Sequence, residues 1–316
     1  MDPTPTPPRD AGQPRDRALV LAGGGAAGNA WELGLVAGLA EAGVNLLDAD
    51  LIVGTSAGST VAAQITSGTS PIDVYAAVVA EVPQPRPSEG RPHGGRAGDG
   101  GPTVGRPDRP TGPGAAGRSY VEWSDGIIAV STDPADLRRR MGTAALEKDD
   151  GSQARWRDVV AARLPSHDWP EQRVIITAVD ARTGEPVVFD RDSGIDLVDA
   201  VAASTGNGYP IGDQRYINGG YLRSENADLA RGFARVLVLS PFGGRTRMPL
   251  EWRMDLASQV EALRAGGSRV ETVFPDARSG DVFDANALDP STRLQAARGG
   301  HEQGLALAEH LATFWN

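Results

Sequence analysis

The pentapeptide Gly54-Thr55-Ser56-Ala57-Gly58 constrains this chain more than any other feature. It directly follows the apolar run Leu51-Ile52-Val53 and opens a segment of helical period carrying Val61, Ala62 and Ile65. A buried strand, a sharp turn and a helix must therefore succeed one another within a few residues, with Ser56 at the turn. Gly54 and Gly58 suit such a turn because it brings backbones together where a Cβ would clash. The geometry lifts the Ser56 hydroxyl clear of the sheet. The following helix aims its N-terminus at the same place, so the backbone N–H of Ala57 faces any negative charge that develops there.

A second unit of the same kind lies upstream. Ala18-Leu19-Val20-Leu21-Ala22 reads as a buried strand, Gly23-Gly24-Gly25-Ala26-Ala27-Gly28 as a glycine loop, and Ala30 to Ala42 as a helix that Gly43 caps. Gly23, Gly25 and Gly28 satisfy the spacing of a dinucleotide-binding loop, which makes a nucleotide-binding oxidoreductase the rival reading. That rival expects an acidic residue at the far end of the second strand. Here Asp48 and Asp50 precede the strand, and the serine turn occupies its end. Whichever ligand it serves, a triple glycine between strand and helix offers bare N–H groups suited to an oxyanion or a phosphate.

A third element completes a pattern: Tyr216-Ile217-Asn218-Gly219-Gly220, then Ser224-Glu225-Asn226-Ala227-Asp228-Leu229-Ala230. Glycine loop, Gly-x-Ser-x-Gly elbow about thirty residues later, and an element of Asp-Gly-Gly type near residue 220 resemble, in that order, the patatin-like phospholipases. The resemblance spans roughly residues 17–82 and 119–240. It implies an α/β patatin-like three-layer fold with a central, mostly parallel sheet flanked by helices. It further implies lipid acyl-ester hydrolysis by a serine–aspartate dyad without histidine or cofactor. Carried over, Ser56 is the nucleophile, Gly23, Gly24, Gly25 and the N–H of Ala57 form the oxyanion hole, and Asn218 stands at the position of the dyad aspartate.

Asn218 departs from the pattern in its chemistry. A carboxylate accepts the serine proton, whereas a carboxamide has no usable basicity near neutral pH. Either a catalytically weakened hydrolase or a lipid- or acyl-binding pseudoenzyme follows. No substitute base stands out: His301 and His310 fall in a C-terminal amphipathic segment and are expected on its solvated face. His93 lies in a stretch not expected to fold, His167 in a loop before a strand, Asp213 across a turn, and Asp228 at a helix start. Ala27, Asn29 and the polar loop Thr205-Gly206-Asn207-Gly208-Tyr209-Pro210 are smaller departures.

Strand candidates at Ala18–Ala22, Leu51–Val53, Arg173–Val179, Val187–Asp190 and Arg235–Ser240 alternate with helical segments, and Thr183-Gly184-Glu185-Pro186 reads as a hairpin turn between the third and fourth. The domain expected is 17–316, preceded by a loose tail, 1–16. Residues 83–118 hold 8 prolines and 10 glycines, with Val104 the only sizeable aliphatic, and read as a disordered insertion. A net charge of −10 argues against nucleic acid as a partner, and the absence of cysteine fits a cytoplasmic setting. No metal-ligand cluster appears. With no apolar run of about 20 residues, any contact with a membrane is peripheral.

Overall fold

The computed structural model describes residues 16–81, 115–148, 153–284 and 286–316. Eight strands form one sheet: β1 (Arg17–Leu21), β2 (Leu51–Thr55), β3 (Val174–Asp180), β4 (Pro186–Phe189), β5 (Asn207–Ile211), β6 (Gln214–Asn218), β7 (Arg235–Leu239) and β8 (Arg269–Val273). Their order is β5-β6-β3-β2-β1-β7-β8, with β4 also paired to β3. The five-strand run from β3 to β8 is parallel, and β4, β5 and β6 are antiparallel additions.

Alternation along the parallel strands builds two apolar layers. Leu19, Leu21, Ile52, Ile176 and Leu237 face helices α1 (Gly25–Glu41), α2 (Ala57–Ile65), α7 (Leu197–Thr205) and α9 (Arg293–Trp315). Ala18, Val20, Val53, Ile175 and Val238 face α8 (Leu256–Ala265) and the short 3-10 turn Ala227–Ala230. Helix α1 is buried on nearly every side because α9 lies against it. A Cβ on Gly34 or Gly38 would fall 2.1 or 2.2 Å from carbonyls of α9. Helices α3 (Pro71–Ala80), α4 (Ala115–Val130), α5 (Pro134–Glu147) and α6 (Gln153–Ala161) are the other α-helices among the described residues. Among them, α4 and α5 cover a third cluster around Val179, Ile217 and Tyr221.

Several expectations need correction. Helix α1 starts at Gly25, within the glycine loop rather than after it, because the loop itself is the first turn. The segment from Asn207 is no loop but edge strand β5, bulged at Gly208 (φ +88°) where its register on β6 shifts. Helix α4 begins at Ala115, four residues inside the expected insertion; the remainder of that insertion and the tail up to Arg15 lie outside the described residues. His301 is not on a solvated face: it stacks on Tyr75 with ring centroids 4.6 Å apart and bonds Glu41 at 2.8 Å. The hairpin at 183–186 forms as read, with Gly184 at φ +75° and its N–H on Asp180 O.

Candidate active site

Ser56 occupies the turn between β2 and α2 with φ 52° and ψ −117°, a left-handed conformation strained for any residue but glycine. The surroundings hold it there. Its N–H donates to Ser204 Oγ at 2.9 Å, and its carbonyl accepts from both Ser59 N–H and Ser59 Oγ. The flanking glycines serve the close approach: a Cβ on Gly54 would sit 2.7 Å from Ser59 Cα, and one on Gly58 2.1 Å from Leu21 O. The Ser56 side of the turn remains half-buried and reachable, whereas Thr55 and Ala57 are buried.

The sheet brings Asn218 to it. Strand β4 pairs with residues 176–179 of β3, so β2 and β6 must share the other edge, β2 along 174–177 and β6 along 178–180. Thr55 opposite Thr177 and Asn218 opposite Ala178 thus meet end to end. Asn218 Nδ2 donates to Ser56 Oγ at 2.9 Å, while its Oδ1 accepts from Gly220 N–H at 2.8 Å. That N–H can only donate, which fixes the carboxamide orientation. The serine oxygen is therefore an acceptor in this pair, and its proton has no acceptor on Asn218. Gly219 is required next to it, since a Cβ would come within 2.3 Å of Thr177 O.

A buried polar floor joins these pieces. Asn226, in the left-handed region at φ 52°, directs Nδ2 toward Thr55 Oγ1, Thr177 Oγ1, Gly219 O and Arg223 O at 2.9–3.3 Å. Beneath it Glu225 takes hydrogen bonds from Ser240 Oγ and Gln259 Nε2, and burial pushes its carboxyl above the usual range.

The glycine loop lies against the serine, a Cβ on Gly23 falling 3.6 Å from Ser56 Cβ. Gly23 itself is not a donor to the site, contrary to expectation, because its N–H is held by Ser224 O at 2.8 Å. The N–H groups of Gly24, Gly25 and Ala57 make no bond to another described residue, and they sit at the N-termini of α1 and α2. Unpaired helix-terminal donors of this kind can accept an anion. Behind the loop, Glu32 is wholly buried with one oxygen on Ala22 N–H, and burial holds its carboxyl well above the usual range.

The other groups weighed as bases are placed elsewhere. Asp213 is exposed in the β5–β6 turn, Asp228 faces Arg223 at 3.3 Å, His167 contacts Ala161 O, and His310 faces Glu271. His93 lies outside the described residues. Asp50 anchors the opposite end of the sheet, its Oδ2 accepting from Asp16 and Arg17 N–H. The end of β2, where the nucleotide-binding reading needs an acid, carries Thr55 and Ser56. Ser204 and Asn226 were not singled out from sequence; a serine in an apolar helix and an asparagine in a polar loop carry no distinctive local signal.

The fold and the site together define an α/β protein with a serine elbow opposed by a carboxamide and flanked by free helix-terminal amides. The family model described as patatin-like phospholipase matches residues 19–231, and the chain belongs to that family. No curated relative matches the sequence. Among solved structures it is similar to VipD from Legionella pneumophila, at 13% identity and TM-score 0.41, covering 94% of this chain and 67% of that one. It is also similar to the type III effector protein ExoU, at 15% identity and TM-score 0.39, covering 96% of this chain and 54% of that one. The chain thus spans about half the length of ExoU.

Proposed function

We propose that this protein binds lipid-like carboxylic esters at Ser56 and cleaves them by acyl transfer, slowly, because residue 218 is an asparagine. The observation that carries the reading is the 2.9 Å contact between Asn218 and Ser56 at an elbow whose neighbouring amides, on Gly24, Gly25 and Ala57, are unpaired. In this reading Ser56 Oγ attacks the ester carbonyl, and the three amides stabilise the oxygen that becomes negative. Asn218 orients the hydroxyl through a donated hydrogen bond, and its proton must leave to solvent or to the departing alkoxide. Loss of a positioned base typically removes ~10² to 10⁴ in rate. Among the described residues no helix is long and apolar enough to cross a membrane.

A second reading is favoured by the same carboxamide: an acyl-binding protein without turnover. Hydrolysis of short chromogenic esters by the full chain, beside Ser56→Ala, tests both. Activity lost in Ser56→Ala supports the hydrolase. Covalent capture of an alkyl fluorophosphonate at Ser56 without ester turnover supports the binding protein. Activity that survives Ser56→Ala overturns the assignment of the site.

A further inference from the structure

Residues beyond 231, outside the region that defines the family, close over the glycine loop from two sides. On one side Pro241 covers Gly24: a Cβ there would fall 2.7 Å from the proline ring. On the other side runs a strap, residues 286–293, that crosses directly over Gly25. Ala27 N–H donates to Ala287 O at 3.0 Å, and a Cβ on Gly25 would meet Ala287 O at 2.6 Å and Leu288 Cδ2 at 2.9 Å. Gly25 is at φ +63°, so this contact is possible only for glycine.

The strap is fixed at its far end too. Arg293 donates to Asn29 Oδ1 at 2.8 Å and forks onto both oxygens of Glu81, and Asn29 in turn donates to Gln64 Oε1 of α2. Asn29, one of the smaller departures from the sequence pattern, is thus the anchor of the strap. At the first anchor Ala287 is buried, 1% exposed, while its neighbour Leu288 is 44% exposed. A large aliphatic side chain is therefore held open to solvent, in contact with the residue that carries one of the unpaired amides.

We infer that Leu288 is a specificity-determining residue that contacts the acyl chain of the bound substrate. The inference rests on the reading of Ser56 as the acyl-transfer centre. An ester whose carbonyl oxygen lies on the amides of Gly24 and Gly25 is held beside the strap, and an acyl chain that leaves on that side runs past the rim of the loop. The aliphatic group standing on that rim at Gly25 is Leu288. Burying its exposed face against methylenes favours longer chains, and the rigid strap adds the contact with little ordering cost.

Isothermal titration of the full chain with decanoate, a single-chain carboxylate that cannot be turned over, reads the contact without any hydrolysis. Leu288→Ala is expected to weaken decanoate about tenfold, the low end of what a few methylene contacts in an apolar site supply. Leu288→Met, similar in volume, should stay within about twofold of the parent. Leu250→Ala, at another exposed leucine, controls for adsorption to apolar surface. Equal affinity in parent and Leu288→Ala, equal weakening by Leu250→Ala, or no decanoate binding by the parent would each overturn the inference. Absent ester turnover combined with Leu288-dependent decanoate binding would instead sink hydrolysis and leave the acyl contact standing.

Discussion

Replacing Asn218 by aspartate isolates one atom of chemistry. The side chain is already positioned at both ends, with Oδ1 2.8 Å from Gly220 N and Nδ2 2.9 Å from Ser56 Oγ. In Asn218→Asp one oxygen keeps the Gly220 N–H and the other takes the place of Nδ2, where it accepts the Ser56 proton that the amide repels. No rotamer change is needed, so the gain approaches what a positioned base contributes, ~10² to 10⁴ or about 3–5 kcal/mol of barrier. The Gly220 N–H favours the ionised carboxylate and lowers its basicity, which places the expectation nearer ~10² to 10³. The gain should appear in kcat rather than KM, because the proton moves in the transition state. It should also carry an acid limb, disappearing as the new carboxyl is protonated. Chromogenic butyrate ester is the assay, with freshly purified protein checked by intact mass, since Asn218-Gly219 is a deamidation-prone pair. An unchanged kcat in Asn218→Asp, beside a parent activity that Ser56→Ala abolishes, would refute the reasoning by requiring another base for Ser56. A gain that persists when Ser56 is also alanine would refute it differently.

Three further outcomes follow from the geometry. Ser204→Ala strips the acceptor from Ser56 N–H, and urea unfolding should show a loss of ~1–3 kcal/mol, the cost of an orphaned buried donor; an unchanged midpoint would mean the turn relaxes. Gly58→Ala places a Cβ 2.1 Å from Leu21 O, a main-chain atom that cannot step aside, so destabilisation should exceed the ~1–3 kcal/mol usual for overpacking, read as loss of the cooperative thermal transition. Glu32 is held well above the usual carboxyl value by burial, so the folded state binds its proton more tightly than the unfolded chain. Its contribution is then fully present below the unfolded value and lost as pH rises through the folded one. Melting temperature should fall as pH rises above the ordinary carboxyl value, and Glu32→Gln should flatten that fall; parallel pH trends in the two proteins would rule the effect out.

What could be read in advance follows from where each constraint is written. The elbow was legible because its requirement is local: Gly54 and Gly58 are needed within two residues of Ser56, and β2 and α2 must flank them. The same holds for the hairpin at Gly184. The donors of the glycine loop were not separable, because Gly23 is removed from the set by Ser224, two hundred residues on, and nothing near Gly23 announces it. Strand β5 was hidden by turn-forming residues. Gly208 makes a bulge and Pro210 is tolerated only because β5 lies at the edge of the sheet, a fact of topology. The strap over Gly25 had no signal at all, being an ordinary polar loop in sequence that matters through what it crosses.

The position of Asn218 depends on the fold and its chemistry does not. Because β4 takes one edge of β3, β2 and β6 abut on the other, and any side chain at the end of β6 is delivered to Ser56. The structural role of residue 218 is to accept the Gly220 N–H, which asparagine and aspartate do equally well. The fold is therefore nearly indifferent to the atom that decides reactivity, and stability and turnover separate at this position. Asn218→Asp should change the unfolding midpoint little while changing kcat by orders of magnitude, the reverse of what Gly58→Ala should do. A site with its serine, its amides and its orienting contact all in place, differing from a dyad by a nitrogen where an oxygen would stand, can lose hydrolysis without losing its architecture.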